Sequence, residues 1–304
     1  MAIPFVKDFT FEYEKLERVT DRISRLVARN PGSFTYTGTG VYVIGDRDVA
    51  VIDPGPDTEE HFEALKAALE GKTVTHVLVT HSHMDHSPLA KPLADWAGCK
   101  VYAKGPAFPT ASQIRMEAGD DLSFDPDVVI GDGWTCSGDG WTIEAIETPG
   151  HTANHVCYAL REESALFSGD HIMGWSTSIV SPPDGSMEQY LDSLRKVQKR
   201  DFDTIYPSHG APITDDPGGF IEAYIAHRKK REASILAALE AGDRSITDIV
   251  RRVYTDVDSS LHPAACHSVL AHMIHLCELG TISSSHGEAR IDSSYTLLQA
   301  EAVA

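Results

Sequence analysis

Residues 80–87 read THSHMDHS, directly after the apolar run VTHVLV of residues 74–79. Three histidines and one aspartate occupy positions 81, 83, 85 and 86. Packing does not ask for this, because imidazoles fill cores poorly and are costly to bury without partners. Metal chemistry does, provided that further ligands follow downstream. If VTHVLV is a strand, the loop after it presents all four side chains. In an extended loop, alternation puts His81 and His83 on one side. A turn at Met84 then aims Asp85 and His86 at a neighbouring point, so that each pair can serve one ion.

Three further segments place a ligand type beside a small residue at a strand end. They are TPGH at His151, SGD at Asp170 and PSHG at His209. The inventory is then five histidines and two aspartates. Nitrogen and oxygen donors of this kind suit zinc, with iron or manganese as alternatives. A shared carboxylate can bridge two ions about 3.5–4 Å apart, as two-metal hydrolytic sites require.

THSHMDHS, TPGHT, FSGD and YPSHG together resemble the metallo-β-lactamase superfamily, over about residues 38–213. The resemblance implies that His81, His83 and His151 bind a first metal and that Asp85, His86 and His209 bind a second. It also implies that Asp170 bridges the two, and that the fold is a four-layer αββα sandwich. A hydroxide held between two such cations would attack a small ester, thioester or lactone, because zinc lowers the pKa of its water to about 7. Asp85 is a candidate for proton transfer besides ligation. Enzymes of the class B β-lactamase type commonly carry Cys where this chain has Asp170, which argues against penicillin as substrate. Glyoxalase II enzymes share the ligands but end differently, and the RNA-processing branch needs an inserted domain for which the chain is too short.

The chain has 304 residues, 42% hydrophobic and 23% charged, with a formal net charge of -19. Such acidity disfavours non-specific contact with nucleic acid or anionic membranes. Cys99, Cys136, Cys157, Cys266 and Cys277 are widely spaced with no CxxC, which predicts reduced thiols. No apolar stretch reaches membrane-spanning length and no signal-peptide core opens the chain. The expectation is a cytoplasmic protein with no membrane association.

Along the chain, YVIGDRDVAVIDPG reads as two strands around a polar turn. DTEEHFEALKAALEG reads as a helix with Asp57 as its cap and Gly71 at its end. PLAKPLADWAGC is a short helix and KVYA a strand. From Val128 onward, Gly and Asp turns separate strands in a meander, followed by a helix capped by Ser186. Sheets packed on each other with helices outside agree with that spacing.

After Asp216 the texture turns helical, and three helices with a terminal hairpin make a winged-helix pattern. We therefore expect an α/β catalytic domain over 1–216 and a helical, winged-helix domain over 217–304. This tail is similar to that of the lactamase-β-2-like group, one member of which cleaves single-stranded RNA. Endoribonuclease action on single-stranded RNA is accordingly the alternative function. A nucleic-acid-binding regulator with a vestigial hydrolase domain is the third. The complete ligand set argues against that third reading. So does the absence of Lys and Arg from PAACHSVLAHMIHLCELG (263–280), a poor reader of phosphate-flanked grooves. Contact with the catalytic domain, or homodimer formation, suits this tail better.

Arg228, Lys229, Lys230 and Arg231 are expected on a solvated helix face. His262, His267, His272 and His275, with Cys266 and Cys277, lack metal-finger spacing and are expected as helix surface and core. His171 either lines the pocket or stands behind Asp170 as a supporting partner. Trp175, in the loop after the bridging residue, is a candidate pocket wall for a small-molecule substrate. His155 belongs to a strand, and His61 and His76 to a helix and a strand, without a ligand role.

Overall fold

Among the described residues, the first sheet contains seven strands in chain order. They are β1 (Glu17–Arg18), β2 (Ile23–Val27), β3 (Gly40–Ile44), β4 (Asp48–Ile52), β5 (Thr73–Leu78), β6 (Lys100–Ala103) and β7 (Val128–Val129). The computed structural model describes residues 2–106, 119–255 and 257–298. Strands β1 to β4 are antiparallel, and β4 to β7 are parallel. The switch follows from the connections, since parallel neighbours need a crossover. Helix α1 (Glu59–Ala68) lies between β4 and β5, and α2 (Ala90–Ala97) between β5 and β6.

The second sheet is a meander of β8 (Thr135–Gly138), β9 (Trp141–Glu147), β10 (Val156–Leu160) and β11 (Ala165–Gly169). Helix α3 (Met187–Gln198) then crosses over to β12 (Thr204–Pro207), which pairs in parallel with β11. The two-residue period of the strands sorts side chains into layers. Val156, Tyr158 and Leu160 of β10 meet Tyr42, Ile44 and Ile52 between the sheets. Cys157 and Ala159 face the other way, onto Tyr190, Leu191 and Leu194 of α3. Val41, Val43 and Val49 pack outward on Leu65 of α1 and Leu93 of α2. The result is the expected αββα order.

Two local expectations change. Val128–Val129 does not open the meander; it pairs with β6 and completes the first sheet. Asp57 is not the cap of α1. Thr58 is, its Oγ1 accepting the His61 N–H at 3.3 Å, because the first helical residue is Glu59. Ser186 does cap α3, accepting from Gln189 N at 3.4 Å.

The C-terminal region comprises α4 (Pro217–Glu240), α5 (Ile246–Val253), α6 (His262–Glu278) and the hairpin β13 (Ile282–Ser284) with β14 (Tyr295–Leu297). Its own core includes Ile235, Leu239, Ile249, Val269, Met273 and Tyr295. Helix α4 serves both cores. Its first turns bury Phe220, Ile221, Tyr224 and Ile225 against the second sheet and α3, and its last turns enter the C-terminal cluster.

That double duty overturns the solvated reading for Arg228 and Arg231, though not for Lys229 and Lys230. Arg228 follows Tyr224 by four residues and so continues the buried face of α4; it is only 3% exposed. Arg231, three residues on, is half-buried, while Lys229 and Lys230 are exposed.

Candidate metal centre

Four loops bring the seven donors to the ends of β5, β9, β11 and β12. His81, His83, His151 and Asp170 each offer a ligand atom within 4.8 Å of the others. Asp85, His86 and His209 form a second such group. All seven are buried. Asp170 faces both groups: one oxygen lies 3.3 Å from His209 Nε2, the other 3.6 Å from His86 Nε2 and 3.9 Å from His151 Nε2. Asp85 belongs to the second group, at 3.2 Å from His209 Nε2 and 3.4 Å from His86 Nε2.

The outer nitrogen of four rings is tied to oxygen. His81 Nδ1 lies 3.0 Å from Thr80 Oγ1, and His86 Nδ1 lies 3.0 Å from Asp53 Oδ2. His151 Nδ1 donates to Ile179 O at 2.7 Å and His209 Nδ1 to Gly38 O at 3.2 Å. This fixes the tautomer and points each Nε2 inward, as metal-ligating histidines require. His83 is the exception, turning Nδ1 inward and Nε2 toward Asp120 Oδ1 at 3.5 Å.

These residues fit divalent cations. His86 Nε2 and one oxygen of Asp170 are buried with no hydrogen-bond partner, a costly arrangement that a cation between them would relieve. His81 Nε2 and His151 Nε2 also approach His83 Nδ1 at 3.0 and 3.4 Å, where inward lone pairs need a shared positive charge. The titration of the donors says the same. Burial opposes charge on His209, yet Asp170 and Asp85 override it and push its pKa up to about 10. His86 is raised likewise, while burial pushes His83 down to about 3. The two carboxylates demand positive charge beside them.

Supporting groups that sequence reading missed stand behind this shell. Asp53, fully buried, accepts from Thr80 N at 2.7 Å, Thr80 Oγ1 at 2.7 Å and Ser208 Oγ at 3.1 Å, besides holding His86. It thereby joins the end of β4 to the loops that carry His81 and His209. Its only signal in the sequence is an acid at the end of an apolar run, before Pro54 and Gly55. His155 immediately precedes β10 and is not among the converging donors; its Nε2 accepts the Asp170 N–H at 3.3 Å and its Nδ1 bonds Thr148 Oγ1 at 2.9 Å.

His171 turns away from the donors toward α3, its ring edge-on to Tyr190 at 5.0 Å. Burial pushes its pKa down to about 3. Trp175 stacks on Tyr36 at 4.8 Å and lines a separate cleft against the C-terminal region. His61 on α1 bonds Glu14 and the Pro54 carbonyl, and His76 on β5 packs on Tyr102. His272 and His275 clamp Glu232 of α4 at 3.2 and 2.8 Å, tying α6 to α4. Among the described residues, no metal-ligand group of three or more involves the C-terminal histidines or cysteines. All five cysteines are free. No helix of the described residues is long and apolar enough to cross a membrane.

Gly150, before His151, packs directly on the start of α3. A Cβ there would meet Tyr190 Cα at 2.3 Å, at a φ of +139°. Gly150→Ala is expected to destabilise the chain by about 3 kcal/mol through overpacking and backbone strain. Urea denaturation checks this, and an unchanged midpoint would contradict the packing.

A profile of the metallo-beta-lactamase superfamily matches residues 37–209, and one of a beta-lactamase-associated winged helix domain matches residues 245–290. The chain belongs to the metallo-beta-lactamase superfamily. Within that superfamily it is a hydrolase with a C-terminal winged-helix region. It is 32% identical over 284 residues to a Caenorhabditis elegans protein named "Beta-lactamase-like protein 2 homolog", covering 90% of each chain. It is 32% identical over 252 residues to an "Atrochrysone carboxyl ACP thioesterase" of Claviceps purpurea, covering 80% of this chain and 75% of that protein. Among solved structures, a beta-lactamase domain protein from Burkholderia ambifaria superposes with a TM-score of 0.78 at 21% identity, covering 96% of both chains. The superfamily and the donor set together imply divalent metal.

Proposed function

We propose that the chain hydrolyses a small activated acyl compound, a thioester before an ester or a lactone, using two divalent cations, zinc in the first instance. The observation that carries this reading is Asp170, whose two oxygens face the two donor groups at once. The thioesterase name of the Claviceps relative supports the choice among acyl compounds. His81, His83 and His151 would hold one cation, and Asp85, His86 and His209 the other, with Asp170 between. Cations so placed supply a Lewis acid for the scissile carbonyl and make water acidic enough to lose its proton near neutral pH.

The remaining chemistry belongs to the chain. The tied Nδ1 atoms keep the imidazoles in one tautomer, so they need no rearrangement when substrate arrives. Asp85, fixed between His86 and His209, serves as a ligand. It is also placed to take a proton from an attacking water, the role that would make it catalytic. Water adds to the acyl carbon, the C–S bond breaks, and the products are a carboxylic acid and a thiol.

The test is a panel of thioesters, esters, lactones and labelled single-stranded RNA, each with and without chelator. Turnover of thioesters that stops with chelator and in His83→Ala is expected. Cleavage of RNA alone, lost in the same variant, would replace this reading with endoribonuclease action.

A further inference from the structure

Between the catalytic sandwich and the C-terminal helices lies a cleft of about 260 Å³. Its walls include Phe34, Trp175, Tyr254 and Ala264, with Ser178 and Ile179 on the side of the metal centre. Its basic groups are His227, Arg228 and Arg231, and no Asp or Glu among the described residues lines it. This is unusual in a chain of net charge -19.

The two arginines are held by groups that do not neutralise them. Arg228 donates to the Ser178 carbonyl and lies over the Tyr190 ring at 5.1 Å. Arg231 donates to Val253 O at 3.1 Å and lies over the Tyr254 ring at 4.0 Å. Among the described residues, the Arg–carboxylate contacts within 4 Å involve other arginines. A buried cation without a counter-charge is costly. Burial and the two guanidiniums also push the pKa of His227 down to about 4, so the positive field is not cancelled locally. Two buried polar atoms of the lining residues lack hydrogen-bond partners, Arg228 Nε and Trp175 Nε1. Both can only donate. Each is a donor left without an acceptor.

The cleft is one residue's thickness from the metal centre. Ser178 and Ile179 carry the oxygens that contact His151 Nδ1, at 3.3 and 2.7 Å. Trp175 packs against Gly210, the neighbour of His209, where a Cβ would come within 3.2 Å of its ring.

We propose that this cleft is the subsite for the carboxylate of an aromatic or acyl carboxylic acid, its anion on Arg231 and Arg228 and its apolar body on Trp175 and Phe34. The acid is either the distal end of the substrate or the product of its hydrolysis. The inference rests on the acyl-hydrolase reading for its role, though not for the binding itself. Its small size favours such an acid over a polynucleotide, which would need a continuous basic groove.

Titration calorimetry of the full metal-loaded chain with 2-naphthoate, and with neutral 2-naphthamide, tests this. Naphthoate should bind on the order of ten- to a hundredfold more tightly than the amide, the range of a charge-assisted hydrogen bond. Arg231→Gln should remove that preference. Ala264→Asp should too, because it leaves both arginines in place and adds a competing carboxylate. Asp170→Asn should keep the preference, since it alters the metal centre alone. Equal binding of naphthoate and naphthamide by the wild-type chain would overturn the proposal, as would wild-type affinity in both cleft variants. So would displacement of naphthoate by a single-stranded RNA pentamer at equal concentration. If Arg231-dependent binding persists in a chain that hydrolyses no acyl compound, the cleft stands and the acyl-hydrolase reading falls. Thioester turnover with Arg231-independent binding has the opposite meaning.

Discussion

Asp170→Asn is expected to leave the purified chain with less than one zinc equivalent and to lower kcat/KM on the order of a thousandfold, roughly 4 kcal/mol of transition-state stabilisation. The substitution keeps the size of the side chain and removes its charge. Asp170 is the residue that faces both donor groups, with His209 on one oxygen and His86 and His151 on the other. The fold should survive, because the backbone N–H of Asp170 still bonds His155 Nε2 and its neighbours remain packed. Elemental analysis read beside hydrolysis rates decides the matter. Two equivalents of metal together with full activity would show that another group joins the two sites.

Asp53→Ala is expected to act on stability and metal retention together. The carboxylate accepts from Thr80 N, Thr80 Oγ1, His86 Nδ1 and Ser208 Oγ in a fully buried position. Removing it strands those donors away from water. Breaking a buried charged network costs about 3–5 kcal/mol, which lowers Tm by roughly 10 °C in a protein of this size class. His86 also loses the partner that fixes its ring, so metal affinity should fall about 10- to 100-fold. Asp53→Asn keeps one acceptor oxygen and should fall between wild type and Asp53→Ala. Calorimetry with and without added zinc measures both effects. A wild-type Tm and metal content in Asp53→Ala would mean that the network contributes nothing.

The donor residues were legible because each sits in a short segment with its own signature. THSHMDHS follows an apolar run, and His151, Asp170 and His209 each neighbour a glycine at a strand end. The strand pattern was legible for a related reason: β3, β4 and β10 are short apolar runs, as strands buried on both faces require. The supporting groups were not. Asp53 shows only as an acid at the end of an apolar run, and His155 reads as an ordinary strand histidine. Their roles come from contacts across 27 and 15 positions of chain, which no local pattern encodes.

The burial of Arg228 and Arg231 was hidden for the same kind of reason. Four adjacent charges look solvated, yet the helix phase set by Tyr224 and Ile221 carries Arg228 inward. Helical phase could be counted from the sequence, but which face would be covered could not. That depended on α4 lying across two cores at once.

By itself, then, the sequence determined the donor types, their grouping in short loops and the layered alternation of strand and helix, because each is a property of residues close together in the chain. The tertiary structure alone decided which donors meet, which rings are tied in which tautomer, and that a cleft with two arginines lies beside them. Those follow from long-range packing, where the free energy of a side chain depends on neighbours that the local sequence does not name.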